Sequence, residues 1–140
     1  MVFSGSQPAI ALVDDDFHSA RLMTRTLEAH GAPSISHITV PDRALDALSG
    51  EDTTCSLAIV DLKGSSTATR DFVRELKDRA PDLVVVAMSP TLEREVRDTL
   101  LDAGAAAVFE RHADISRYRS EAASIVDFWA RQQRLERTGT

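Results

Sequence analysis

The feature that most constrains this chain is a regular exchange between two residue patterns. Short apolar runs alternate with longer segments whose apolar residues recur every three or four positions. The runs are "AIALV" (9–13), "SISHITV" (34–40), "SLAIVDL" (56–62), "LVVVAMS" (83–89) and "AAAVF" (105–109). Each has strand length. All but the imperfectly alternating second run lack the polar alternation of a half-exposed strand, so they suit strands covered on both faces. The intervening segments have helical spacing. Ala20, Met23, Leu27 and Ala29 mark a helix over 17–30, and "PDRALDALSG" a short one with proline in its first turn. Phe72, Val73 and Leu76 mark a helix over 70–80, and Leu92, Val96, Leu100 and Ala103 one over 91–104. Ile115, Tyr118, Ala122, Ile125 and Trp129 mark a long last helix over about 114–136. Gly31, Gly50, Pro81 and Gly104 supply the stops. Five strand–helix repeats predict an α/β domain with a parallel sheet between two helical layers.

At 140 residues the chain suits one domain of ordinary size. The expected division is an N-terminal extension (1–8), the domain (9–132) and a polar, arginine-rich tail (133–140), with no room for an effector module. No stretch approaches the roughly 20 apolar residues of a membrane span. "MVFSGSQP" lacks the basic and apolar regions of a signal peptide. Cys55 is the single cysteine, which excludes an internal disulfide and fits a cytoplasmic setting. The net charge of −6 argues against nucleic acid as a direct partner.

Chemistry-bearing residues cluster at the predicted strand ends. Asp14, Asp15 and Asp16 follow the first strand, Asp61 ends the third, Ser89 ends the fourth and Arg111 follows the fifth. In open parallel α/β sheets, ligands bind outside the carboxyl ends of the strands. Acids gathered there suit a divalent cation, since Mg²⁺ takes hard oxygen ligands from one or two carboxylates together with waters and phosphate oxygens. A carboxylate is also a nucleophile toward phosphorus, and a hydroxyl and a cation can hold the phosphoryl oxygens. Plainer roles stay open. The aspartates suit a solvated turn, with Asp16 as a helix N-cap. Ser89 before Pro90 suits a helix cap, and Arg111 suits a surface ion pair. His18, His30, His37 and His112 share no ligand spacing, and Tyr118 and Trp129 read as core contacts of the last helix.

The motifs "LVDDD", "AIVDL", "VVVAMS" and "DAGAAAVFER", in this order, resemble those of response-regulator receiver domains of two-component signalling. The resemblance spans residues 9 to about 130. It implies a flavodoxin-like doubly wound sheet of five parallel strands in the order 2-1-3-4-5, with five helices. It also implies Asp61 as phosphoryl acceptor and a Mg²⁺ site formed by Asp15, Asp14, Asp61 and the backbone carbonyl of Lys63. Ser89 would bind a phosphoryl oxygen, and Arg111 would stand where the family has lysine. The implied partners are a histidine kinase or histidine phosphotransfer protein and an unidentified downstream protein; separately, the long last helix with its polar, arginine-rich end is expected to contact a partner or a second copy of the chain. The departures are specific. Arg111 is bulkier than lysine and forks its hydrogen bonds. His112 replaces the usual proline, and "LKGSSTATR" replaces the usual loop after the acceptor. Val108 stands at the usual aromatic position, with Phe109 on the opposite face of the strand.

Three functions follow as expectations. The first is a stand-alone receiver, not a turnover enzyme, phosphorylated on Asp61 with self-catalysed transfer and output by protein–protein contact. The second is a phosphorylation-independent pseudo-receiver that serves as an interaction module. The third is a small haloacid-dehalogenase-like phosphatase with Asp14 as nucleophile, for which the expected following threonine is absent.

Overall fold

The computed structural model describes residues 10–50 and 55–137. The expected extension (1–8) and the end of the expected tail (138–140) lie outside the described residues. Ten elements alternate: β1 (Ile10–Asp14), α1 (Phe17–Ala29), β2 (Ile35–Ile38), α2 (Pro41–Ser49), β3 (Leu57–Asp61), α3 (Ser66–Arg79), β4 (Val84–Ser89), α4 (Arg94–Ala103), β5 (Ala107–Glu110) and α5 (Ile115–Arg137). The strands form one sheet in the order β2-β1-β3-β4-β5, with all four pairings parallel. This is the flavodoxin-like doubly wound sheet expected from the sequence.

Alternation along the strands divides the core in two. Ala11, Val13, Ala58, Val60, Val85 and Ala87 face one side, against Leu45 and Leu48 of α2, Val73 and Leu76 of α3, and Leu100 of α4. Ile10, Leu12, Leu57, Ile59, Val86 and Met88 face the other, against Met23 and Leu27 of α1 and Ile125 of α5. Most of these side chains are fully buried, and each large one contributes roughly 1.5–3 kcal/mol by leaving water. Two packed faces hold the central strands β1, β3 and β4 rigidly, and so fix the positions of their carboxyl ends.

Two helices start elsewhere than the sequence indicates. The stretch after Asp61 reads as a polar loop to residue 70, yet α3 begins at Ser66 because the Ser65 hydroxyl accepts the Ala68 amide at 3.1 Å. Residues rich in Ser and Thr read as loop because their hydroxyls compete for backbone groups, and here that same property caps the helix. Conversely, α4 begins at Arg94 and not at Thr91. Ser89 Oγ accepts the Thr91 amide and Thr91 Oγ1 the Glu93 amide, which ties 89–93 into turns. Helix α5 continues to Arg137, and Trp129 and Gln133 both donate to the Ser56 hydroxyl.

Candidate functional site

Asp14 and Asp61 are register partners across β1 and β3, on strands that lie about 4.8 Å apart. Both end fully apolar strands and are buried, at 0% and 1% exposure. Two carboxylates this close and this dry repel each other strongly unless cations offset them. The chain supplies two. Lys63 Nζ lies 3.0 Å from Asp14 Oδ1 and 2.9 Å from Asp61 Oδ2, and also donates to the Asp61 carbonyl at 3.4 Å. The Arg111 guanidinium grips the other oxygen, Asp61 Oδ1, from Nε at 2.9 Å and Nη2 at 2.7 Å. Both oxygens of Asp61 are therefore engaged, each by a different cation.

The three aspartates that follow one another in the sequence have three separate tasks. Asp14 turns inward, where Oδ1 also accepts the Asp16 amide at 2.9 Å. Its Oδ2 is buried without a hydrogen-bond partner among the described residues. Asp15 is exposed, and its Oδ1 accepts the Lys63 amide at 3.1 Å, tying the β1–α1 turn to the loop after β3. Asp16 caps α1 by accepting the Ser19 amide at 3.1 Å, and that bond holds its carboxyl below the ordinary aspartate range. No group of three or more His, Cys, Asp or Glu is placed to hold a metal ion among the described residues.

Ser89 and Arg111 reach the same edge by a different route. Ser89 ends β4 at 2% exposure, and its carbonyl accepts the Arg111 amide at 2.7 Å. Arg111 also donates to the Leu62 carbonyl at 3.4 Å. Leu62, Gly64, Thr69, Ser89 and Arg111 line a cavity of about 10 Å³, at the limit of room for one water. A phosphoryl group on Asp61 needs at least one of the two cationic side chains to move. Val108 packs in the α2–α4 core and Phe109 in the α1–α5 core, where it meets Phe128 edge-on at 6.3 Å. Phe109 is therefore held on the far side of the sheet from the usual aromatic position.

Sequence reasoning missed two neighbours of the site. The resemblance gives Lys63 a role only through its backbone carbonyl, but its ammonium lies between the two acids. Tyr118 packs on the α1–α5 core as expected, yet its hydroxyl is buried with no partner among the described residues. Burial, then the fields of Asp61 and Asp14, push its phenol well above the ordinary range. The sequence signal for Tyr118 is absent because helical spacing identifies a core face and not which end of the sheet that face covers. His37 lies with Nε2 3.0 Å from the Asp14 carbonyl.

Comparison with known proteins places this geometry in a fold family. No protein-family model matches the chain, and no curated protein matches it in sequence. Solved structures do match. The phosphorylated cyanobacterial phytochrome response regulator RcpA superposes with a TM-score of 0.73 at 20% identity, over 89% of this chain and 95% of that one. A response-regulator receiver domain from Rhodospirillum rubrum gives 0.71 at 20% identity, over 86% and 92%. The Mn²⁺-bound form of response regulator Rcp1 gives 0.70 at 17% identity, over 86% and 92%. The chain has the fold of response-regulator receiver domains.

Proposed function

We propose that this chain is a receiver module that accepts a phosphoryl group on Asp61 and signals by protein–protein contact. The observation that carries this reading is the carboxyl edge of the sheet: Asp61 paired with Asp14, and two cations on the acceptor's oxygens. The donor would be a phosphohistidine of a histidine kinase or histidine phosphotransfer protein. An Asp61 carboxylate oxygen forms the new O–P bond as the P–N bond breaks, and the imidazole leaves with its electron pair and takes up a proton. Arg111 then faces a group with more negative charge than the carboxylate it faced before. Any later hydrolysis is self-catalysed, so the module is a substrate of its partner and not a turnover enzyme.

The matched Rcp1 structure holds Mn²⁺, and we propose that Mg²⁺ assists here. Asp14 and Asp61 suit the ion by donor type and position, and the buried Asp14 Oδ2, which has no hydrogen-bond partner among the described residues, is acceptor capacity left for it. Asp14, Asp61 and the Lys63 carbonyl would hold it, with Asp15 contributing once released from the Lys63 amide. Bound there, the ion supplies positive charge for the phosphoryl oxygens.

Incorporation of labelled phosphate from acetyl phosphate, with and without Mg²⁺, tests the reading against Asp61→Ala. The expected result is Mg²⁺-dependent label on the wild-type chain and none on the variant. A second reading has its own support. Asp61 is 1% exposed with both oxygens held, which suits a pseudo-receiver that works unphosphorylated. No label under any condition decides for that module. Label that survives Asp61→Ala and maps to Asp14 decides for the dehalogenase-like reading.

A further inference from the structure

We infer that the Lys63 ammonium is an intramolecular occupant of the divalent-ion position, so that a metal enters this site only by displacing it. This rests on reading Asp14 and Asp61 as cation ligands, and it adds a control on that site. Nζ approaches one oxygen of each buried carboxylate and the Asp61 carbonyl, at 3.0, 2.9 and 3.4 Å. The two carboxylate oxygens are ones that an ion between the ends of β1 and β3 would use.

Charge makes the two occupants mutually exclusive. Asp14 and Asp61 bring two buried negative charges, which Lys63 and Arg111 offset with two positive ones, while the exposed Asp15 is screened by solvent. A divalent ion added beside Lys63 leaves a doubly positive cluster around two carboxylates with almost no exposure, where like charges are poorly screened. If the ion displaces the ammonium, the excess falls to one, and Asp61 phosphorylation offsets it.

The geometry also gives the ammonium a way out. Lys63 is 27% exposed at the side chain and lies between β3 and α3. Its flexible stem can swing into solvent without moving a strand. Arg111 is bound to Asp61 Oδ1 and Lys63 to Oδ2. Departure of Lys63 therefore uncovers the one Asp61 oxygen that Arg111 does not hold. Metal entry thus exchanges Lys63 for the ion on that oxygen, and without metal Lys63 keeps it closed.

Mn²⁺ titration followed by the EPR signal of the free ion tests this on the full chain, with Lys63→Met and Lys63→Arg. Lys63→Met is expected to bind Mn²⁺ at least 10-fold tighter than wild type, and Mg²⁺ to raise its melting temperature more. Lys63→Arg keeps a charge and is expected to bind no tighter than wild type. Equal affinities of wild type and Lys63→Met overturn the inference. So does a wild-type chain saturated with Mg²⁺ whose Lys63 ammonium ¹⁵N resonance is unmoved. If Lys63→Met is unfolded without metal, recovery of Trp129 fluorescence with Mn²⁺ supports the inference, and failure to recover overturns it. Phosphate labelling is scored separately. Absence of label on wild type and Lys63→Met alike removes the acceptor reading and leaves the metal result standing.

Discussion

Replacing Lys63 with methionine in metal-free buffer tests whether the ammonium holds the acid pair together. The substitution keeps an unbranched side chain and removes the charge. Asp14 then keeps only the Asp16 amide on Oδ1, and Asp61 keeps only Arg111 on Oδ1. Breaking a fully buried pair by removing one partner costs about 3–5 kcal/mol. Lys63 is 27% exposed, and each carboxylate keeps one partner, so the expected loss is lower, about 2–3 kcal/mol. For a chain of this size that is a fall in melting temperature of roughly 6–12 °C. Urea unfolding in EDTA measures it. Asp14→Asn and the double variant complete a cycle. Once Asp14 is neutral, loss of Lys63 is expected to cost less, with a coupling of at least about 1 kcal/mol. If the two single losses add to within about 0.5 kcal/mol, the ion pair does not stabilise the fold and the reasoning fails.

Other outcomes follow from single positions. Gly104 ends α4 at φ +122°, and a Cβ there would stand 2.7 Å from Lys77 Cγ, so Gly104→Ala is expected to cost about 1–3 kcal/mol in urea unfolding. The folded Tyr118 phenol titrates above its unfolded value of about 10, so the folded chain holds that proton more tightly. The resulting stability is full below pH 10 and is lost as pH rises further. Tyr118→Phe is expected to lose less stability than wild type between pH 9 and pH 11. An equal loss in both removes Tyr118 as the source.

The alternation of patterns determined the fold class because its cause is local, while the strand order was legible only through the family resemblance. A run such as "VVVAM" buries on both faces only in a sheet covered by two layers, and each strand end could be read from where the apolar run stops. That was enough to bring Asp14, Asp61, Ser89 and Arg111 to one edge. Local signals failed where one residue type serves two opposed roles. Ser65 reads as loop and caps α3, while Pro90 and Thr91 read as a helix start and form turns. What only the tertiary structure decided is how the charges pair. Asp14 and Asp15 are adjacent in sequence, but opposite facing along an extended chain sends one into the core edge and the other to the loop. Lys63 is two residues from Asp61 and 49 from Asp14, and no pattern along the chain states that it bridges both. That contact exists because β1 and β3 lie side by side in register, which places two buried carboxylates within reach of one flexible ammonium.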